Sequence, residues 1–156
     1  MSRRNRPEKR EIFPDVRYNS VPVQSFINRI MHNGKKSTAA ASMYAALNLA
    51  EERAKKPAME IFTAALKNVG PLMEVRPRRV GGATYQVPME VPSDRQFALA
   101  TRWLIAAARS RSGRSFSEKM AAELMDAANN TGSAVRRREE AHKMAEANRA
   151  FSHYRV

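Results

Sequence analysis

Leu72-Met-Glu-Val-Arg-Pro-Arg-Arg-Val-Gly-Gly-Ala-Thr-Tyr-Gln-Val-Pro-Met-Glu-Val91 is two short β-prone runs around the pair Gly81-Gly82. Glycine reaches φ > 0 without a Cβ clash, so this pair can close a two-residue hairpin of the primed type. Such a loop predicts pairing of Val80 with Ala83, Arg78 with Tyr85, Arg76 with Val87 and Leu72 with Val91. The pairs near the base are apolar, whereas Arg76, Arg78 and Arg79 point to both faces toward the tip. Only the base can therefore dock on a core, through Leu72, Val91 and Met89. A lone two-stranded ribbon is marginal in water, so its outer half is expected to protrude and await a partner. Pro77 and Pro88 lack an N–H donor, which suits open edges and resists edge-to-edge pairing. The plainer alternative is a solvated hairpin with a basic tip. Arginine forks suit phosphates and Tyr85 offers a stacking face, so the ribbon reads as a binding arm.

Helical patterns bracket the ribbon on both sides. Upstream, Ala58, Ile61, Phe62, Ala65, Leu66 and Val69 make one stripe, closed by Gly70-Pro71. Downstream, Ser93 and Gln96 read as a capping box for a helix that turns Phe97, Ala100, Trp103, Leu104 and Ala107 inward. The ribbon is thus an insertion between two helices of one bundle. Farther upstream, Ser20 and Pro22 open a first helix with Val23, Phe26, Ile27, Ile30 and Met31 at i, i+3, i+4, i+7 and i+8. Gly34 is its expected C′ glycine. A second helix starts near Ser37 or Thr38, buries Ala40, Met43, Tyr44, Leu47 and Ala50, and stops at Pro57. Ser115 with Glu118 is a second capping box, opening a fifth helix with Phe116, Met120, Leu124, Met125 and Ala128 inward. Asn129 to Gly132 break it.

The last helix, from about Ser133 to Ala147, carries small apolar residues (Ala134, Ala141, Ala145) among Arg136, Arg137, Arg138, Glu139, Glu140 and Lys143. A helix this polar is held by partners or lies exposed. Glu139 and Glu140 are spaced to pair with Arg136 and Lys143 along the helix. The expected class is mainly α, a six-helix bundle with a protruding two-stranded antiparallel β-ribbon between helices three and four. Residues 1–19 read as a basic arm, 20–147 as one helical domain with the ribbon at 72–91, and 148–156 as a basic and aromatic tail.

Charge bounds the function. The 156 residues hold 28 Lys and Arg against 15 Asp and Glu, a net charge of +13. Twenty of the 28 are arginine, which favours bidentate phosphate recognition and a polyanionic partner. There is no cysteine, hence no disulfide framework and no thiolate metal site. No apolar run approaches the roughly 20 residues needed to span a bilayer, and the N-terminus lacks an apolar signal core. A soluble intracellular protein is expected, with no membrane partner.

Asn33-Gly-Lys-Lys-Ser37 is similar to the end of a phosphate-binding P-loop. Arg29 stands where that motif needs its first glycine, and a helix precedes the loop in place of a strand. The turn still sets Lys35 and Lys36 at a helix N-terminus, where free N–H groups and the dipole favour a backbone phosphate. Arg109-Ser-Arg-Ser-Gly-Arg114 is a basic loop, adding Arg109, Arg111 and Arg114 to the candidate RNA contacts. His32, His142 and His153 have no metal-ligand spacing, and no nucleophile and base pair is legible. Neither catalysis nor a cofactor is expected.

The chain resembles the bacterial-type small-subunit ribosomal protein seven family over nearly its whole length. The resemblance rests on Phe26-Ile-Asn with Asn33-Gly-Lys-Lys-Ser37, on Arg79-Val-Gly-Gly-Ala-Thr-Tyr-Gln-Val-Pro88 and on Leu99-Ala-Thr-Arg-Trp-Leu104. Met144-Ala-Glu-Ala-Asn-Arg-Ala-Phe-Ser-His-Tyr-Arg155 completes it. It implies six helices and one ribbon. It also implies binding to the three-prime major domain of small-subunit rRNA, nucleation of head assembly, and residence in ribosomes of a bacterial cytoplasm or plastid stroma. By position, the rRNA contacts would be the arm (Arg3, Arg4, Arg6, Lys9, Arg10) with Lys35, Lys36, Arg76, Arg78, Arg79, Arg95 and Arg102. The ribbon and last helix would line the exit-site tRNA and mRNA path. That assigns Arg78, Arg79, Gly81, Gly82, Tyr85, Lys143, Arg149, His153, Tyr154 and Arg155 to it. Neighbouring head proteins and ribosomal protein eleven of the platform would be partners. Val16 stands where a proline often follows the aspartate, and Gln96 where a second arginine is usual, which removes one expected phosphate contact.

A DNA-bending architectural protein also combines a helical body with basic ribbon arms. Such arms insert an apolar wedge between base steps, whereas this tip is Gly81-Gly82 with Arg79 and Val80 beside it and both prolines further down. An RNA-modifying enzyme fails for want of catalytic groups.

Overall fold

The computed structural model describes residues 10–154. Six α-helices run in order: α1 (Val21–Ile30), α2 (Lys36–Ala54), α3 (Ala58–Val69), α4 (Ser93–Ser110), α5 (Phe116–Ala128) and α6 (Ser133–Ala147). Strands β1 (Met73–Val80) and β2 (Ala83–Glu90) lie between α3 and α4, and a 3-10 helix, Arg149–Tyr154, closes the described chain.

The hairpin register follows from its turn. Gly81 and Gly82 sit at φ 57° and 90°, the left-handed pair that a primed two-residue loop requires. Val80 then faces Ala83, Arg78 faces Tyr85 and Arg76 faces Val87, as the sequence predicts. The ladder continues below the strands, where the Val91 N–H donates to the Leu72 carbonyl at 3.0 Å. The base docks through other residues than expected. Leu72 is 67% exposed, while Val87, Pro88 and Glu74 are buried. α6 and the 3-10 helix pack against the ribbon, and burial falls on Val87 and Pro88, which point to opposite faces of β2. Its outer half is therefore braced as well as projecting.

The core is helical. α5 packs on α2, α3, α4 and α6, and its Met120, Ala121, Leu124 and Ala127 are buried. Phe26 of α1 meets Phe62 of α3 edge-on at 5.5 Å, a favoured geometry for aromatic quadrupoles. The α2 stripe buries Ala39, Met43, Ala46, Leu47 and Ala50; Ala40 and Tyr44 lie half-buried at its margin. Small residues on this face let α2 and α5 approach closely.

Two helix-end readings need correction. α1 stops at Ile30 with Met31 as its C-cap, so Gly34 (φ 74°) belongs to the turn into α2. Ser93 lies inside α4, whose N-cap is Pro92 with no side-chain cap. Gln96 instead donates from Nε2 to the Gly70 carbonyl at 3.3 Å, tying α4 to the end of α3. Ser115 does cap α5, its hydroxyl accepting from the Glu118 N–H at 3.2 Å.

Part of the N-terminal arm is built into the body. Asp15 is 2% exposed; its carboxylate accepts from the N–H groups of Arg17 (3.1 Å) and Tyr18 (3.0 Å). It also accepts from the Tyr44 hydroxyl, and this hydrogen bond, with burial, pushes the phenol up to about 12. Val16 next to it is fully solvent-facing, so a proline at that position is not needed for this latch.

Candidate nucleic-acid interface

A groove lined by cations and by no carboxylate lies along α4. Arg102 and Arg109 are two turns apart on one exposed edge. Arg29, in the last turn of α1, reaches the same groove. The groove, about 390 Å³, is lined by these three arginines with Ala98, Ile105 and Ala106. Alanine at two of the floor positions leaves room for a backbone to lie close. Arg29 is fixed within it: its Nη1 donates to the Phe97 carbonyl at 3.3 Å and to Thr101 Oγ1. Its guanidinium lies over the Phe97 ring at 5.1 Å. Burial, and then the charge of Arg102, lowers its affinity for its proton. Crowded cations without a counter-carboxylate make a place for an anion.

Arg109 also lines a second groove of about 230 Å³, with Ile30, His32, Lys35, Thr38 and Ser42. The two grooves join into one strip from Arg102 to Lys35. At its far end α2 begins without a side-chain cap or an acidic residue in its first turn. Lys35 is the N-cap and Lys36 the first helical residue, and both are exposed. Uncapped N–H groups and the helix dipole add positive potential there. Arg29 is the residue that sequence reasoning missed for this strip. Its signal was the helical position i+2 from Ile27 and i−1 from Ile30, at the margin of the apolar stripe.

The remaining sequence-predicted contacts divide by what they touch. Arg76 and Arg95 converge on Glu74, Nε to Oε1 at 2.5 and 2.7 Å. Burial alone would raise the Glu74 carboxyl, but hydrogen bonds from Arg95 and Arg76 outweigh it and hold the group below the usual range. Both arginine side chains remain nearly half exposed. Arg79 and Arg114 are exposed, Arg78 is half-buried, and Arg10 is exposed. Arg3, Arg4, Arg6, Lys9 and Arg155 lie outside the described residues.

Arg111 behaves differently. Its Nε donates to Glu123 Oε2 at 2.7 Å, and Nη2 binds Asp126. Burial opposes its charge, yet Asp126 and Glu123 outweigh that and raise its pKa further. Glu123 is fully buried and spends its other oxygen on the Ala134 N–H at 2.9 Å, so α5 caps the start of α6. Gly132 makes this possible: at φ 94°, a Cβ would lie 3.1 Å from Asp126 Cβ and 3.2 Å from Glu123 Oε1. Arg111 thus serves the fold, unlike Arg109 and Arg114 on either side.

On α6, Glu140 pairs with Arg137 at 3.0 Å and Glu139 with Arg138 at 3.6 Å, in place of the expected Arg136 and Lys143. Arg138 is drawn inward to the Asn68 carbonyl and to Asn130 Oδ1. Lys143, Arg149 and His153 are exposed, and Tyr154 is half-buried against Tyr85. Among the described residues there is no group of His, Cys, Asp and Glu that could hold a metal ion, and no helix is long and apolar enough to cross a membrane.

The family described as ribosomal protein S7p/S5e matches residues 2–149. The chain belongs to this family. A small ribosomal subunit protein uS7 from Chloroflexus aurantiacus is 61% identical over 154 residues, covering 99% of this chain and 98% of the relative. The same-named protein from Roseiflexus castenholzii is also 61% identical, again over 154 residues. That of Methylobacterium radiotolerans is 60% identical over 155 residues, 99% of each chain. S7p/S5e membership agrees with the whole arrangement: a helical body, an inserted ribbon and a cationic strip. The relatives carry the name of a small-subunit ribosomal protein.

Proposed function

We propose that this protein is a structural constituent of the small ribosomal subunit that binds the three-prime major domain of its rRNA. By holding RNA segments together it nucleates assembly of the subunit head. The observation that carries the reading is the strip formed by Arg29, Arg102, Arg109 and Lys35, whose grooves contain no carboxylate. Phosphates from separate RNA helices can enter the α1–α4 groove and the start of α2 together, so that one rigid body fixes their angle. RNA is read largely through shape, backbone and splayed bases, and a preset row of guanidinium groups suits that task. Arg76 and Arg95, aligned by Glu74, extend the basic surface to the foot of the ribbon. The ribbon tip with Arg78, Arg79, Gly81 and Gly82, and the C-terminal residues Lys143, Arg149 and His153, line the exit-site tRNA and mRNA path. Head proteins and ribosomal protein eleven of the platform are the neighbours on this reading, and the ribosome is where the protein resides.

The test is crosslinking in cells followed by sequencing of the bound nucleic acid. Small-subunit rRNA from the three-prime major domain is the expected product. Recovery of genomic DNA without that rRNA would overturn the proposal in favour of a DNA-bending role.

A further inference from the structure

Tyr85 reads in the sequence as a stacking face for RNA, but within the fold its ring is already engaged. Tyr154 lies nearly parallel to it, with centroids 5.2 Å apart and planes at 26°. Phe151 packs against it at 5.3 Å and 46°, and His153 leans on Tyr154 at 4.0 Å. All three partners belong to the terminal 3-10 helix. Lower down, the Leu72 N–H at the ribbon foot donates to His142 Nε2 of α6 at 3.0 Å. Between the two grips lies a cavity of about 440 Å³, bordered by Met73, Pro88, Ala145 and Arg149 among others. α6 packs on the lower ribbon around this space, and the aromatic grip holds the ribbon farther out.

A two-stranded ribbon has little stability of its own, and its twist and tilt are soft unless something fixes them. Rings in offset or tilted contact attract beyond the area they bury. The grip at Tyr85 lies five residues from the end of β2 nearest the body, far enough out to control direction. We propose that α6 and the terminal 3-10 helix act as a brace that sets the direction of the ribbon, with Phe151 and Tyr154 as positioning residues for its tip. Tyr85 is consumed by this brace and does not present a free face to RNA. The consequence, a tip aimed by the C-terminal segment, rests on the proposed nucleic-acid role of the ribbon; the brace itself does not.

The test uses the full chain without RNA, so it stands apart from the crosslinking result. The sequence has no native cysteine, and Thr84 at the tip and Thr63 on α3 are both exposed. Spin labels at Thr84→Cys and Thr63→Cys report the ribbon-to-body distance. One narrow distribution is expected, broadened when Phe151→Ala and Tyr154→Ala are introduced together. Tyr154→Phe keeps it narrow, because stacking needs the ring and not the hydroxyl. Amide exchange in residues 83–87 should quicken about 2- to 12-fold for each ring pair lost, while the helices exchange as before. An unchanged distribution in the double variant would overturn the brace. So would equal acceleration through α1 to α5, or a Tyr154→Phe variant that behaves like the double variant.

Discussion

Glu123 and Glu74 each hold arginine side chains, yet they serve opposite ends of this molecule. Glu123 is sealed in the body, where Arg111 and the Ala134 N–H use both of its oxygens. Glu74 lies at the foot of the ribbon, and its two arginines stay nearly half in solvent. A sealed pair fixes the fold because removing one partner strands a charge that water cannot reach. Where the arginines remain hydrated the pair contributes less, since water and salt compete for them even though the carboxylate is buried. Its effect is to hold two guanidinium groups side by side at the foot of the ribbon.

Arg111→Ala breaks the sealed node by stranding the buried Glu123 carboxylate and should cost about 3–5 kcal/mol, read by urea unfolding. A loss below about 1 kcal/mol would put Glu123 in the same class as Glu74 and end the contrast. Next in size, changing Arg29, Arg102 and Arg109 to Ala together should weaken rRNA binding, with a modest fall in melting temperature from Arg29 alone, which ties α1 to α4. If each meets one phosphate, the slope of log affinity against log salt should fall by roughly 2–3. An unaltered slope would move the RNA face elsewhere. Lys35→Glu with Lys36→Glu should likewise reduce affinity without unfolding, since both are exposed at the open start of α2. A large drop in melting temperature would mark them as structural.

Smaller effects test the open node. Glu74→Gln should cost only about 0–1 kcal/mol and should not lower RNA affinity, because a carboxylate that competes with phosphate is removed. Its stabilising contribution belongs above the ordinary carboxylate range and is lost as pH falls through its depressed folded value. A fall in affinity would show that aligning Arg76 and Arg95 matters more than freeing them. The smallest effect concerns His142, whose proton affinity is lowered by burial and then by Arg138. The ring must stay neutral at Nε2 to accept from Leu72; Arg138 on its own helix and the Glu146–Arg149 pair beside the cavity are the nearby charges. Because the unfolded chain takes up this proton first, stability should be full above the ordinary imidazole range and decline as pH falls below it. His142→Gln should remove this slope, since an amide oxygen accepts the same N–H without titrating.

Local chemistry made much of the molecule legible. Gly81-Gly82 fixed the hairpin register, and the apolar spacing of Val23, Phe26, Ile27 and Ile30 marked α1. The Ser115 cap was readable because its partner, the Glu118 N–H, lies three residues away. The failures have a common cause. The Ser93–Gln96 box pattern is real, yet Gln96 prefers the Gly70 carbonyl, which proximity in sequence does not reveal. Leu72 looks like the better anchor, but it stays largely exposed, while Val87 and Pro88, on opposite faces of β2, take the burial.

The amino-acid sequence by itself determined the helices, the ribbon and its register, the polyanion-seeking charge and the family. Those depend on periodicity, turn conformation and composition, which are properties of short segments. Only the tertiary structure decided what each arginine does. Arg109, Arg111 and Arg114 are chemically alike within six positions, yet Arg111 turns to carboxylates on α5 while Arg109 faces the groove beside Arg29. It also decided that Tyr85 meets Tyr154 and Phe151, residues nearly seventy positions away. A guanidinium or a ring takes whichever partner the packed backbone brings within reach, and that proximity is created by the fold as a whole.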